Sequence, residues 1–166
     1  MATRSFSISL LSLQMKDSNN MDNSRKNVTV NVCTIQKDKD GKSTIEASYD
    51  GVMYYKSGVF YVFYTEYSED GEETAKCRLK LDHDEVEIKR EGAYGSRLSF
   101  RQGSSFKSMY NTPYGSMPVE IKTKKCINAV DNQGGKIVLD YRMSIAGNEF
   151  DNNVAIILQI IEDERK

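Results

Sequence analysis

The sequence predicts an all-β domain, an antiparallel meander of about eight to ten strands closed into a barrel. Turn signals recur at short intervals from Asn27 onward, the spacing of sandwiches and barrels. No helical period of useful length lies between them. Ten Tyr and six Phe against two Pro suit pleated, half-buried surfaces.

Residues 1–26 stand apart from the rest. Ser5–Met15 reads SFSISLLSLQM, and a polar stretch follows it. Three readings stay open: a weak leader with Arg4 as its charged part, an over-extended start with Met15 or Met21 as the true one, or a disordered or loosely docked tail. The barrel is expected over residues 27–162, with a short C-terminal tail at 163–166.

The first strand begins at Asn27 and ends at Asp40-Gly41. Ser57-Gly58 closes the second, Asp70-Gly71 the third and His83-Asp84 the fourth. Gly92–Gly95, Gly103, Pro113–Gly115, Asn132–Gly135 and Gly147-Asn148 close the fifth to the ninth. A two-residue turn at His83-Asp84 sets Leu81 opposite Val86, Leu79 opposite Ile88 and Lys80 opposite Glu87. Apolar pairs then share one face and an ion pair takes the other. A turn at Gly147-Asn148 sets Ile145 opposite Phe150, Tyr141 opposite Val154, Leu139 opposite Ile156 and Ile137 opposite Leu158. A three-residue loop around Gly103 sets Phe100 opposite Phe106. Val59–Tyr67 and Val154–Ile161 are apolar on both faces, so each needs a cover on the outside: the tail, a loop or a second copy. Closure of the last strand onto the first would remove the exposed edges.

Four blocks occur in a characteristic order: R-x-G at Arg90–Gly92, F-x-x-G at Phe100–Gly103, Y-x-T-P-Y-G at Tyr110–Gly115 and GGKIVLDY at Gly134–Tyr141. In these the chain resembles the YwiB-like family, a bacterial domain of unknown function, over roughly Asn27 to Glu162. The resemblance implies a lipocalin-like (calycin) β-barrel in a cytoplasmic bacterial protein. It implies no activity, no catalytic residue and no cofactor. The G-x-W signature of secreted lipocalins is absent, because the chain has no Trp.

Lys plus Arg number 23 and Asp plus Glu 24, a net charge of -1, so no global pull toward nucleic acid or anionic membrane follows. No run approaches the ~18 apolar residues of a membrane helix. Cys33, Cys77 and Cys126 are widely spaced and odd in number, which reads as free thiols in a reducing compartment. His83 is the one histidine, flanked by Asp82 and Asp84 on an expected turn tip, a wet place for nucleophilic catalysis. Adjacent strand residues alternate faces, so Asp82, Asp84 and Glu85 do not converge on a cation. Gly92–Gly95 lacks the phosphate-loop pattern. A basic bias on the outward positions Lys76, Arg78, Lys80, Arg97, Arg101, Lys107, Lys122 and Lys124 is broken by Glu85, Glu87 and Glu120, and the nearby aromatics point inward.

Tyrosine is the remaining resource. Buried tyrosines bring hydroxyls that need partners, so they either line a polar pocket or complete a filled core. The candidate ligand contacts are Tyr61, Arg97, Tyr110, Tyr114 and Tyr141. Thr112, Pro113 and Gly115 are expected to form a register-setting turn. The leading expectation is a non-enzymatic small-molecule-binding module. The second is a homodimer or protein-interaction module on the outer faces of strands three and ten, and the third a weak nucleic-acid-binding barrel. No membrane partner is expected, nor any metal.

Overall fold

A computed structural model describes residues 25–162. The tail proper, residues 1–24, and the C-terminal residues 163–166 lie outside the described residues. Ten strands follow one another with tight turns: β1 Arg25–Asp38, β2 Gly41–Lys56, β3 Val59–Tyr67, β4 Glu73–Asp82, β5 Glu85–Gly92, β6 Ser96–Arg101, β7 Ser105–Thr112, β8 Gly115–Asp131, β9 Gly134–Ile145 and β10 Asn148–Ile161. β1 starts at Arg25, two residues before the expected boundary, because Arg25 already pairs with Tyr54.

Each strand pairs with its sequence neighbour, and β1 pairs with β10 from Asn27↔Ile161 to Lys37↔Asp151. Nearly all edges are therefore paired, and the meander forms an almost closed barrel. The exception lies between β6 and β7, which share no ladder. One isolated bridge, Gly95↔Asn111, joins them at one end. At the other end the Gly103 amide donates to the Thr123 carbonyl at 2.8 Å, and the Thr123 amide to the Ser104 carbonyl at 3.0 Å. The loop tip thus bonds to β8 instead of closing a hairpin. A register shift in β8 between Thr123 and Lys125 admits it. The expected Phe100–Phe106 pairing is corrected accordingly. Phe100 is fully buried against Tyr141, ring centroids 4.7 Å apart, and Phe106 lies under the Arg97 guanidinium, 5.2 Å from its centroid.

The His83-Asp84 hairpin has the expected register: Leu81↔Val86, Lys80↔Glu87 and Leu79↔Ile88. The β9–β10 turn sits one residue earlier than expected, at Ala146-Gly147, with φ of 52° and 79°. Positive φ at both central residues matches the twist of the flanking strands. The register moves by two, so Leu139 faces Val154, Ile137 faces Ile156 and Tyr141 faces Asn152. An even shift leaves every side chain on its own face.

Inward positions follow the two-residue period. Ala75, Cys77, Leu79 and Leu81 of β4, Val62 and Tyr64 of β3, and Ile156 and Leu158 of β10 join one core cluster. Each fully buried aliphatic contributes about 1.5–3 kcal/mol relative to exposure. A second, smaller cluster lies on the outer face of β2 and β3: Val52, Tyr54 and Phe63, with Tyr61 against it.

Candidate functional site

The inward positions of β3 and β5 turn polar toward one rim. In β5, Val86 and Ile88 are followed on the same face by Arg90. In β3, Val62 and Tyr64 are followed by Glu66. The Arg90 guanidinium donates to the Glu66 carboxylate at 2.5 Å, and its other terminal nitrogen to the Tyr94 carbonyl at 3.4 Å. Tyr64 pairs across β3–β4 with Cys77, which pairs across β4–β5 with Arg90. Tyr49 stacks on Tyr64 with centroids 4.9 Å apart.

Burial, and secondarily the charge of Glu66, raises the Tyr49 phenol. Burial pushes Tyr64 well above its ordinary value and the Cys77 thiol up to about 12. Burial works against the Arg90 charge, but the bond to Glu66 outweighs it and keeps Arg90 cationic. At neutral pH the rim therefore holds one ion pair surrounded by protonated phenols and a protonated thiol. Such groups hydrogen-bond a ligand; they are poorly prepared for nucleophilic attack.

The break in the ladder makes this rim accessible. A cleft of about 560 Å³ runs along the β6–β7 seam, lined by Arg90, Ser96, Arg97, Ser108, Met109 and Asn111. Arg90 and Ser108 belong to inward positions and Arg97 and Met109 to outward ones, so residues from both faces of the wall line the cleft. Two other depressions lie on the wall formed by β1, β2 and β10 and beside the Gly147 turn.

The seam gathers three of the sequence blocks. The Gly95↔Asn111 bridge ties the loop after R-x-G to the strand carrying Y-x-T-P-Y-G, and Tyr94 approaches Tyr110 at 6.3 Å. The turn is closed by the Thr112 hydroxyl, which donates to the Gly115 carbonyl at 2.7 Å and accepts from the Tyr114 amide at 3.1 Å. Pro113 and Tyr114 are its central pair, as Thr112↔Gly115 closes it.

The five candidate contacts do not share one pocket. Arg97 and Tyr110 lie at the seam. Tyr114 is on the same rim but 93% exposed at the turn tip. Tyr141 is buried inside against Phe100, its phenol pushed up to about 12 by burial. Tyr61 points outward beside Tyr54. Arg90, Glu66 and Tyr49 were not singled out from sequence. The available signal was a charge continuing an apolar alternation, at Glu66 after Val62 and Tyr64 and at Arg90 after Val86 and Ile88. His83 is exposed on its turn, with φ of 56°, at the end of β5 opposite Arg90. Among the described residues no group of three or more His, Cys, Asp or Glu could hold a metal.

Comparison with known proteins bears on both fold and family. A protein of Bacillus subtilis (strain 168), described as the uncharacterized β-barrel protein YwiB, is 25% identical over 122 residues, 74% of this chain and 84% of that one. The crystal structure of the B. subtilis ywiB protein superposes with a TM-score of 0.76 at 24% identity, covering 88% of this chain and 99% of that one. The model of the domain of unknown function DUF1934 matches residues 30–157. The chain thus belongs to the DUF1934 family of YwiB-like β-barrel proteins.

Proposed function

We propose that this protein is a non-enzymatic binding module that takes a small polar or anionic molecule at the β6–β7 seam, with Arg90 as the principal contact. One observation carries this: the single unpaired stretch of the barrel wall, among the described residues, opens onto an inward-facing, carboxylate-anchored arginine. The cleft volume lies within the usual range for small-molecule sites, about 300–1,000 Å³. Ligand binding in the deep interior gains less support, because Val28, Leu79, Ile137 and Leu139 fill it. Three free cysteines support a cytoplasmic setting. No helix among the described residues is long and apolar enough to cross a membrane.

The test is native mass spectrometry of protein purified from its own host. The expected result is a bound small molecule in the wild type that Arg90→Met loses while keeping its β-sheet circular dichroism. A wild-type chain that carries no adduct, and whose melting temperature no metabolite anion raises, overturns the proposal.

A second reading, self-association, rests on the outer face of β8–β10, where Ile127 and Ile157 are 44% and 45% exposed. Sedimentation velocity separates it: a concentration-independent monomer removes it. Nucleic-acid binding finds no support on the basic face, since Glu87 holds both Arg78 and Arg97, and Glu85 lies 3.7 Å from Arg101.

A further inference from the structure

Two outward faces of this barrel are apolar, and they differ. On β10 the outward Ile157 is 45% exposed, as expected of a bare convex wall. On β2 and β3 the outward Val52, Tyr54 and Phe63 are only 6–7% exposed, and the outward Thr65 is 2% exposed. Tyr54 stacks on Phe63 and Tyr61, at 5.7 and 5.9 Å, and among the described residues Tyr61 is the one further hydrophobic packed against this cluster. The strands that meet β2 and β3 do so as neighbours in the sheet, not as a second layer.

The same face holds an excess of unsatisfied polar atoms. Among the described residues five buried side-chain polar atoms lack a partner, and three of them, Tyr54 Oη, Thr65 Oγ1 and Arg78 Nε, lie here. Arg78 faces Phe63 directly across the ladder. Buried polar groups without partners are costly, so the occupant of this face has to be amphipathic rather than purely apolar.

We propose that residues 5–15 of this chain are that occupant, lying across the outer face of β2–β4. The described chain begins at Arg25, whose ladder partner is Tyr54 at the edge of the cluster. The ten residues 15–24 can span up to ~33 Å, against about 10 Å for two strand spacings. The segment itself alternates: Phe6, Ile8 and Leu10 with Ser5, Ser7 and Ser9. In an extended conformation that alternation presents an apolar row to Val52 and Phe63, and its backbone and hydroxyls supply groups for Thr65 and Tyr54.

The test is hydroxyl-radical footprinting of the full-length chain, read at Tyr54 and Phe63 by peptide mass spectrometry. The wild type should be protected, and the double variant Ile8→Asp/Leu10→Asp should oxidise severalfold faster at both residues while its far-ultraviolet circular dichroism stays the same. Conversely, Phe63→Lys should speed amide exchange of residues 5–15. Equal oxidation of the wild type and the tail variant overturns the proposal. So does protection that is lost on dilution of a dimer instead of on tail substitution, which makes a second copy the occupant. Unchanged exchange in Phe63→Lys overturns it as well.

Discussion

Arg90 of β5 reaches past β4 to hold Glu66 of β3, and Ala75, the β4 residue opposite Glu66, leaves the path open. The pair is partly buried, with side chains 31% and 21% exposed, so its energy lies between surface and core values. Glu66→Gln or Arg90→Met should each cost about 1–2 kcal/mol by urea denaturation. The double variant Glu66→Leu/Arg90→Met should cost less than their sum, because no charge is then left unpaired. Additive effects would show that the two groups do not interact.

Stability should fall in alkali. The Cys77 thiol is raised from 9.0 to about 12 and the Tyr141 phenol from 10.0 to about 12, both by burial. The neutral forms are favoured in the fold, so this stability is fully present below pH 9 and is lost between the unfolded and folded values. Each group removes about 1.4 kcal/mol per pH unit in that window. Urea midpoints should be flat from pH 7 to 8.5 and drop by pH 10.5, with a shallower drop in Cys77→Ala. A flat profile to pH 11 would contradict the buried placement.

Gly135, in the GGKIVLDY block, adopts φ of 145°, and a Cβ there would sit 2.0 Å from the Ala129 carbonyl oxygen of β8. Gly135→Ala should therefore cost about 3 kcal/mol or more, because backbone, not a side chain, has to move. Thermal denaturation reads this directly; a loss near that of an exposed surface change would refute the close approach.

The Y-x-T-P-Y-G turn separates two roles. Thr112→Val removes both hydroxyl bonds that close it and should cost about 1 kcal/mol. Tyr114→Ala, at the exposed tip, should change stability by less than about 0.5 kcal/mol. If Tyr114→Ala nonetheless weakens ligand retention in native mass spectrometry, the tip residue contacts the ligand.

Outer-face truncations should differ in the same way. Phe63→Ala should cost about 2–4 kcal/mol and Ile157→Ala less than about 1 kcal/mol, although both point away from the barrel interior. Equal costs would mean that the β2–β3 face is not covered in solution.

Much of the barrel was legible in the sequence, because a two-residue period and turn chemistry are local properties. Lys80 opposite Glu87 needed only a two-residue turn at His83-Asp84. The β9–β10 register differs by two because Ala146 takes a positive φ, a conformation that turn chemistry assigns to Gly and Asn, here Gly147-Asn148. The seam was not legible. Its cause is the bonding of Gly103 and Ser104 to Thr123, a contact between residues of β8 and a distant loop that no hairpin rule contains. The site shares that origin: Glu66 and Arg90 look like surface charges until the alternation of β3 and β5 is followed to its end.

Barrel closure also orders events in time. β1 takes its second partner from β10, the last strand of the meander. During synthesis the edge of β1 stays open until residue 161 has left the ribosome, long after β1 to β5 have been made. A nascent chain of this protein therefore carries an open edge on β1 for most of its translation.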